Sequence, residues 1–239
     1  MSYRSLCRLR NTCNNLQSEL VLWCGPQVPK LVLIFFLATL FVGQSAPDRR
    51  VSGTAVSSSR DPHLQIHLPE TAQYAGADRW VLYGVADCEV HVFVEPDAHE
   101  TVQRLYWIQF EGYLPSKPDL AHQYNSPRHS TIGGLDFYVD TWPGSNSQKY
   151  HPDSDRAHIE ALIRAKGYKM PAGMMYVRLV YLLDEKKRKE LMIIYGEDLA
   201  PTGFTAPELQ EGGKAHDRWP ALETGLIARA EKAITLNPR

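Results

Sequence analysis

Cysteine is scarce in this chain of 239 residues, and its placement is uneven. Cys7, Cys13 and Cys24 precede an apolar run at residues 31–43, and Cys88 alone follows that run. The part of the chain after the run therefore cannot form an intramolecular disulfide, and its stability must come from an apolar core. About 175 residues are enough to build such a core. Cys88 alternates with valines, so we interpret it as a buried small side chain.

The familiar motifs of catalysis and cofactor binding are also absent. The chain has no GxGxxG or GxxxxGK[ST] phosphate-binding loop, no HExxH or CxxC metal motif, and no GxSxG nucleophile turn. No two of its nine histidines have a spacing that is diagnostic of a metal site. We therefore predict no metal ion and no cofactor, and we leave catalysis open.

Neither sign of charge dominates the whole chain, whose formal net charge is −1. The balance changes along its length: residues 1–46 carry a net charge of +3, and the remainder carries −4. A mildly acidic domain offers no basic surface for phosphate backbones, so we expect no nucleic-acid partner. Basic residues ahead of the apolar run favour retention of that end on the cytoplasmic side of a membrane.

The apolar run at residues 31–43 is the clearest feature that is present. It is 13 residues long, or about 20 Å as a helix, which is short for the roughly 30 Å core of a bilayer. That length is typical of a signal peptide, and Gly43 and Ser45 suit cleavage after Ser45. We predict a cell-envelope location: the protein is exported, periplasmic or secreted, or it is anchored to the membrane by residues 31–43.

Three other interpretations of residues 1–46 remain open. The long segment before the run and the apolar residues 20–24 favour an uncleaved anchor, so the membrane is a partner if the segment is retained. Arg4, Arg8 and Arg10 precede the first acidic residue, as in a mitochondrial presequence. A buried helix of a cytosolic protein would need a core partner on every side.

The rest of the chain reads as a linker followed by one domain. Residues 47–62 are rich in Ser, Gly, Pro, Arg and Asp, which predicts a flexible linker, and residues 63–239 then form a single globular domain. Runs of β-branched and aromatic residues predict strands at 81–94, 105–113, 135–142, 175–183 and 191–197. The turn at 184–190 is charged, and we interpret its basic residues as solvated.

Helix signals are fewer. Asp153 or Ser154 is suited to cap a helix that ends before Gly167, and its single apolar stripe predicts packing on the sheet. Residues 205–208 have capping-box spacing, and a C-terminal helix begins near Asp217. The order of elements predicts an α+β fold: a mainly antiparallel sheet of about five to six strands, one helix packed on it, and a C-terminal helix.

Polar side chains recur at every second position of several predicted strands. They are Glu89, His91, Glu95, Gln109, Glu111, Asp136, Tyr138, Asp140, Tyr176 and Arg178. If their faces coincide, the sheet has an apolar side under the helix and a polar, aromatic side that cups a small ligand. Arg178 would anchor an anionic group, and tyrosines would line the walls. The candidate ligand-binding residues are Arg178, Tyr176, Tyr138, Asp136, Glu111 and His91.

Three functions follow from these patterns. The first is a domain that binds a small molecule or a partner protein without catalysis. The second is a hydrolase-type enzyme that uses Asp, Glu and His on one sheet face, for example Asp136, Asp140 and His91. The third is a structural, membrane-tethered interaction protein, in which the polar face is solvated and Arg178 pairs with a carboxylate across strands.

Overall fold

Runs of β-branched and aromatic residues form most of the strands in a computed structural model that describes residues 47–147 and 149–239. The strands are β1 (Arg50–Ser52), β2 (Ala55–Ser58), β3 (Leu64–His67), β4 (Gln73–Leu82), β5 (Ala86–Pro96), β6 (Val102–Tyr113), β7 (Arg128–Ile132), β8 (Leu135–Ser145), β9 (Gly173–Leu182), β10 (Lys189–Asp198) and β11 (Thr235–Pro238). The α-helices are α1 (Asp155–Ala165), α2 (Ala206–Leu209) and α3 (Trp219–Ala233).

Two antiparallel sheets organise these strands. The larger has seven strands in the order β4-β5-β6-β10-β9-β8-β7, and the smaller has the order β1-β2-β3-β11. Because β10 lies beside β6, the connection from β6 to β7 must pass over β10, β9 and β8 to reach the far edge. Residues 114–127 make that crossing, and they cover part of one sheet face.

The first face of the larger sheet, which we call the sandwich face, packs on the smaller sheet. It presents Phe93, Ile108 and Ile193, which join a core with Val56 and Ile66 of the smaller sheet. Leu226 and Ala230 of α3 complete the same core. Burial of this many large apolar side chains, at roughly 1.5–3 kcal/mol each, makes the sandwich face the main source of stability.

The opposite side, which we call the α1 face, is covered unevenly. Over β5 and β6, Ile159 and Ile163 of α1 pack on Val90, Val92 and Leu105. Beyond that patch the face carries Val180, Met192 and Ile194, with partly buried aromatic side chains around them. Polar groups of the α1 face therefore lie beside an apolar floor and beneath the crossing segment 114–127.

The mixed fold with mainly antiparallel sheets confirms the predicted α+β class, but the predicted single sheet of five to six strands is wrong. Eleven strands lie in two sheets, and the described residues contain three α-helices. Five strands are too short for an alternation of apolar and polar residues to be recognised in the sequence. They have only three to five residues each and are rich in polar residues: β1, β2, β3, β7 and β11.

β1 and β2 lie within residues 47–62, where the composition predicts a flexible linker. Val56 explains the difference, because its side chain is completely buried against the larger sheet. The proposed signal or anchor at residues 1–46 lies outside the described residues. Among those that are described, no helix is long and apolar enough to cross a membrane.

Candidate functional site

Strand register decides which of the predicted site residues share a face. Directly paired residues of neighbouring strands project to the same side of a sheet. Cys88 pairs with Glu111, and Glu111 pairs with Glu190, which places all three on the α1 face. Tyr138, Arg178 and Tyr176 pair with other residues of that face, and Asp136 follows the alternation of β8. Five of the six candidate ligand-binding residues therefore lie on the α1 face: Glu111, Asp136, Tyr138, Tyr176 and Arg178.

His91 is the exception, because it pairs with Ile108 on the sandwich face. Its imidazole is buried, with Nε2 2.9 Å from Oε1 of Glu89 and Nδ1 3.3 Å from the hydroxyl of Tyr74. Both ring nitrogens therefore have partners within the domain. The expectation that His91 joins the other candidates at one ligand site is wrong. The sequence pattern grouped His91 with Glu111, whereas the register places Cys88 opposite Glu111.

Arg178 pairs with the carboxylate directly across the strand. Its Nε and Nη2 donate to Oδ2 of Asp140 at 3.2 and 2.6 Å, and the hydroxyl of Ser126 donates to the other oxygen. The guanidinium also lies 5.2 Å from the ring centroid of Tyr124. Because Asp140 balances the charge of Arg178, this arginine is less able to bind an anionic ligand.

The other predicted residues occupy separate parts of the α1 face. Tyr176 stacks on Trp142 with ring centroids 5.2 Å apart, near α1. Tyr138 lies nearer the sheet edge, 5.9 Å from the ring of Tyr124. Asp136 is exposed, and its carboxylate lies 2.9 Å from Nδ1 of His129. Tyr176, Tyr138 and Asp136 therefore lie on the same face but do not form a single cluster.

The α1 face also brings together three acidic side chains from three separate elements. We call Glu111 of β6, Glu190 of β10 and Asp155 of α1, with His122 from the crossing segment, the carboxyl cluster. One ring nitrogen of His122 and one oxygen each of Glu111 and Glu190 all lie within 4.8 Å of one another. Nδ1 of His122 is 3.0 Å from Oε2 of Glu190, and the two side chains are 6% and 3% exposed.

Neutral donors orient the carboxyl groups of this cluster. The hydroxyl of Tyr124 donates to Oε2 of Glu190 at 2.7 Å. Nε2 of Gln109 donates to Oε2 of Glu111 at 3.1 Å, and the indole N–H of Trp107 fixes that amide at 2.8 Å. Tertiary hydrogen bonds therefore hold the acids in place without neutralising them.

Burial changes the acidity of every member of the cluster. It raises the pKa of Glu111 to about 7, with a further contribution from Asp155, and it raises the pKa of Glu190 to about 8, with a contribution from Glu111. Burial also raises the pKa of Asp155 to about 6 and lowers the pKa of His122 to about 4. The acids disfavour one another's charge, and the imidazole beside them is neutral.

Two buried polar atoms of the cluster have no hydrogen-bond partner among the described residues: Nε2 of His122 and Oδ1 of Asp155. An unsatisfied buried polar atom costs about 1–3 kcal/mol, so native proteins leave few of them without a reason. Two of the four such side-chain atoms among the described residues belong to this cluster, and the others are Nε of Arg49 and Nε1 of Trp80. The cluster has donor atoms that the protein alone does not satisfy.

Arg188 holds the segment that carries His122. Its guanidinium donates to five main-chain carbonyl oxygens, those of Tyr113, Leu114, Lys117, Pro118 and Leu120. The N–H of His122 donates to the carbonyl oxygen of Lys187 at 2.7 Å. The sequence analysis interpreted the basic residues of this turn as solvated, whereas Arg188 fixes the position of the imidazole.

The two glutamates border a cleft at the end of the sheet. This cleft has a volume of about 680 Å³, and Glu89 and Phe110 of the sandwich face also line it. Its lining contains four cations, each paired with an acid: Arg49 with Glu89, Arg60 and Arg79 with Asp48, and Lys189 with Asp61. His122 and Asp155 are not part of that lining.

Four members of this site were missed by sequence reasoning. Asp155 lies in the first turn of α1, directly after the predicted capping residues, and sequence alone gave it no other role. Glu190 was assigned to a charged turn, although it continues the alternation of β10. His122 and Tyr124 lie in an irregular segment, where no periodicity indicates direction. Only tertiary structure identifies them as neighbours.

Comparison with known proteins gives no indication of the function of this site. The chain matches no protein-family model, no curated protein and no solved structure.

Proposed function

We propose that this domain binds a small cationic ligand at the carboxyl cluster, without catalysis. The observation that carries the proposal is the grouping of Glu111, Glu190 and Asp155 on one partly covered face. Among the described residues, no lysine or arginine forms an ion pair with any of them. Buried carboxylates normally have a cationic partner, and a bound cation would supply it.

The surroundings of the cluster support a small ligand. The cleft beside Glu111 and Glu190 has a volume of about 680 Å³, within the usual range for small-molecule sites. The ring of Tyr124, whose hydroxyl donates to Glu190, lies 5.9 Å from the ring of Tyr138. Arg178 contributes no net positive charge, because Asp140 balances it. The local charge therefore favours a cation over the anionic ligand that the sequence suggested.

Thermal unfolding of the full chain tests this proposal. We would compare Zn²⁺, Mn²⁺, Mg²⁺, Ca²⁺ and an aliphatic diamine, each at about 100 times its dissociation constant where binding is found. A ligand specific for the folded state then adds about 2.7 kcal/mol and raises Tm by roughly 5–10 °C. A chain that none of these cations stabilises would contradict the proposal.

Matched variants connect the effect with the cluster. Glu190→Gln removes one buried carboxyl while keeping its shape, and Glu185→Gln makes the same change at an exposed position on the adjacent turn. We expect Glu190→Gln to lose the Tm shift and Glu185→Gln to keep it. Without cation, Glu190→Gln should be at least as stable as the unaltered chain, because it relieves repulsion with Glu111.

A hydrolase-type enzyme is the second candidate. It is favoured by the same acids beside a histidine, because Glu111 and Glu190 lie next to a cleft and could donate and accept protons near neutral pH. Hydrolysis of chromogenic esters, phosphate esters or glycosides that disappears in both Glu111→Gln and Glu190→Gln would support it. Cation binding with no turnover of any such substrate would favour the first function.

We also propose that the domain works in the cell envelope, either exported or anchored by residues 31–43. The apolar run, the charge reversal after it and the single later cysteine support this location. Mass spectrometry of the mature N-terminus tests it. A chain that begins at Ala46 indicates cleavage and export, whereas an uncut chain in the membrane fraction indicates anchoring. An uncut chain found entirely in the soluble cytosol would contradict both.

A further inference from the structure

We infer that the cation is a divalent first-row transition-metal ion held by Glu111, Glu190 and a ring nitrogen of His122. This inference depends on the proposed function, because it names the ligand of the same site. It goes beyond that proposal by assigning His122 as a ligand and by excluding organic cations and alkaline-earth ions as the preferred occupants.

The nitrogen donor sets the class of metal. Mg²⁺ and Ca²⁺ prefer all-oxygen coordination, whereas Zn²⁺, Mn²⁺, Fe²⁺ and Co²⁺ accept imidazole together with carboxylates. His122 is 6% exposed, and its Nε2 has no hydrogen-bond partner among the described residues. An organic ammonium ion could donate a hydrogen bond to the same nitrogen, so the test below includes a diamine to separate it from a metal ion.

The distances suit coordination after a small adjustment. Ligand atoms that each lie about 2.1 Å from one tetrahedral metal ion are about 3.4 Å apart. The donor atoms of Glu111, Glu190 and His122 lie within 4.8 Å of one another. Shifts of about 1.4 Å or less, within reach of side-chain rotation, therefore bring all three around one ion.

Asp155 extends the donor set. Its Oδ1 is buried and has no hydrogen-bond partner among the described residues. It is suited to be a fourth donor or to accept a hydrogen bond from a water bound to the ion.

The groups behind the ligands have the organisation that metal sites require. Tyr124 donates to Oε2 of Glu190, and Gln109 donates to Oε2 of Glu111, so each carboxylate is held by a neutral donor. Arg188 fixes the crossing segment and with it His122. Such supporting contacts orient ligands and raise metal affinity.

The test uses the full chain purified without an affinity tag and stripped with a chelator. Equilibrium dialysis against Zn²⁺, Mn²⁺, Mg²⁺ or an aliphatic diamine, followed by elemental or amine analysis, gives stoichiometry and affinity. We expect one Zn²⁺ or Mn²⁺ per chain, bound at least about 100-fold more tightly than Mg²⁺. His122→Gln should weaken that binding by more than about 100-fold, since losing even a supporting contact costs about 10- to 100-fold. His99→Gln, at an exposed histidine, should leave it unchanged.

A spectroscopic readout protects the test against a variant that fails to fold. Co²⁺ bound to the unaltered chain should show visible ligand-field absorption, and electron-spin-echo spectroscopy of bound Mn²⁺ should show coupling to one imidazole nitrogen. Binding of the diamine without transition metal would overturn this inference and leave the proposed function standing. Metal binding without nitrogen coupling, or binding unaffected by His122→Gln, would also overturn it. If no cation binds, both proposals fail.

Discussion

Glu89 and Glu111 lie on opposite faces of the same pair of strands, and their surroundings differ completely. On the sandwich face, Glu89 accepts hydrogen bonds from the main-chain N–H groups of Asp48 and Arg49, from the Arg49 guanidinium and from His91. On the α1 face, Glu111 accepts from neutral Gln109 and lies beside two further acids. One glutamate is fully neutralised by the chain, and the other is not.

This difference separates an acid that the fold neutralises from the acids that we propose bind a ligand. Burial alone would raise the pKa of Glu89, but its hydrogen bonds and the charge of Arg49 lower it to about 2. Glu190 accepts a hydrogen bond from neutral Tyr124 and feels the charge of Arg178, yet burial raises its pKa to about 8. Since both glutamates are almost completely buried, the partners and not the depth decide the outcome. The sandwich face neutralises its buried acid, whereas the acids of the α1 face raise one another's pKa.

The largest expected effect is the loss of the neutralised acid. Glu89→Ala leaves Arg49 and His91 in the interior without their common partner, and removing one member of a buried ion pair costs about 3–5 kcal/mol. Urea unfolding of the full chain measures this difference. Glu70→Ala, at an exposed position, is the control and should change stability by less than about 0.5 kcal/mol. A cost below about 1 kcal/mol for Glu89→Ala would show that the contacts of Glu89 with Arg49 and His91 contribute little to stability.

The second effect concerns pH and isolates the charge of Glu89. Its pKa is about 2 in the folded protein against 4.5 for the ordinary group. A carboxyl with a lowered pKa stabilises the fold above its unfolded pKa, and this contribution disappears as the pH falls from 4.5 to about 2. We expect the stability difference between the unaltered chain and Glu89→Gln to shrink by roughly 2 kcal/mol over that window. A difference that stays constant between those pH values would assign the effect to packing instead.

The third effect concerns the α1 face and the crossing segment. Arg188→Ala removes five hydrogen bonds to main-chain carbonyl oxygens, so residues 114–122 should open locally without global unfolding. A local loss of about 2 kcal/mol corresponds to roughly 30-fold faster amide exchange at His122. Hydrogen exchange detects this change. Lys186→Ala, at an exposed position on the same turn, should leave that exchange unaltered, and equal effects in both variants would rule out a specific role for Arg188.

Local signals predicted the local parts of this fold. α1 begins after Ser154 and is followed by Gly167 at a positive φ of 88°, as its capping residues indicate. The capping box at α2 is present, with the N–H of Thr205 donating to Glu208 at 2.7 Å. The five longest predicted strand runs lie within β4, β5, β6, β8, β9 and β10 or overlap them. These features depend on neighbours within a few positions, which a single sequence displays.

The site could be predicted only in part, because alternation assigns faces within a strand but not between strands. Glu111 was identified as polar and inward on β6, yet it was grouped with His91 although register places Cys88 opposite it. One step of register reverses the face of a whole strand. His122 enters the cluster through an irregular crossing, so its place depends on contacts such as that with Lys187. Such information exists only in the folded chain.

The smallest expected effect marks where the α1 face stops being a ligand site. Asp136 shares this face, but its side chain is 65% exposed and its partner His129 is 42% exposed. Exposed ion pairs contribute about 0.2–1 kcal/mol, so Asp136→Asn should change stability by no more than that and should leave cation affinity unchanged within about twofold. Dialysis and urea unfolding of Asp136→Asn beside Glu190→Gln measure both quantities. If Asp136→Asn weakens cation binding as much as Glu190→Gln does, the ligand occupies the outer aromatic wall rather than the buried cluster, and the contrast between the two faces must be redrawn around Tyr138 and Arg178.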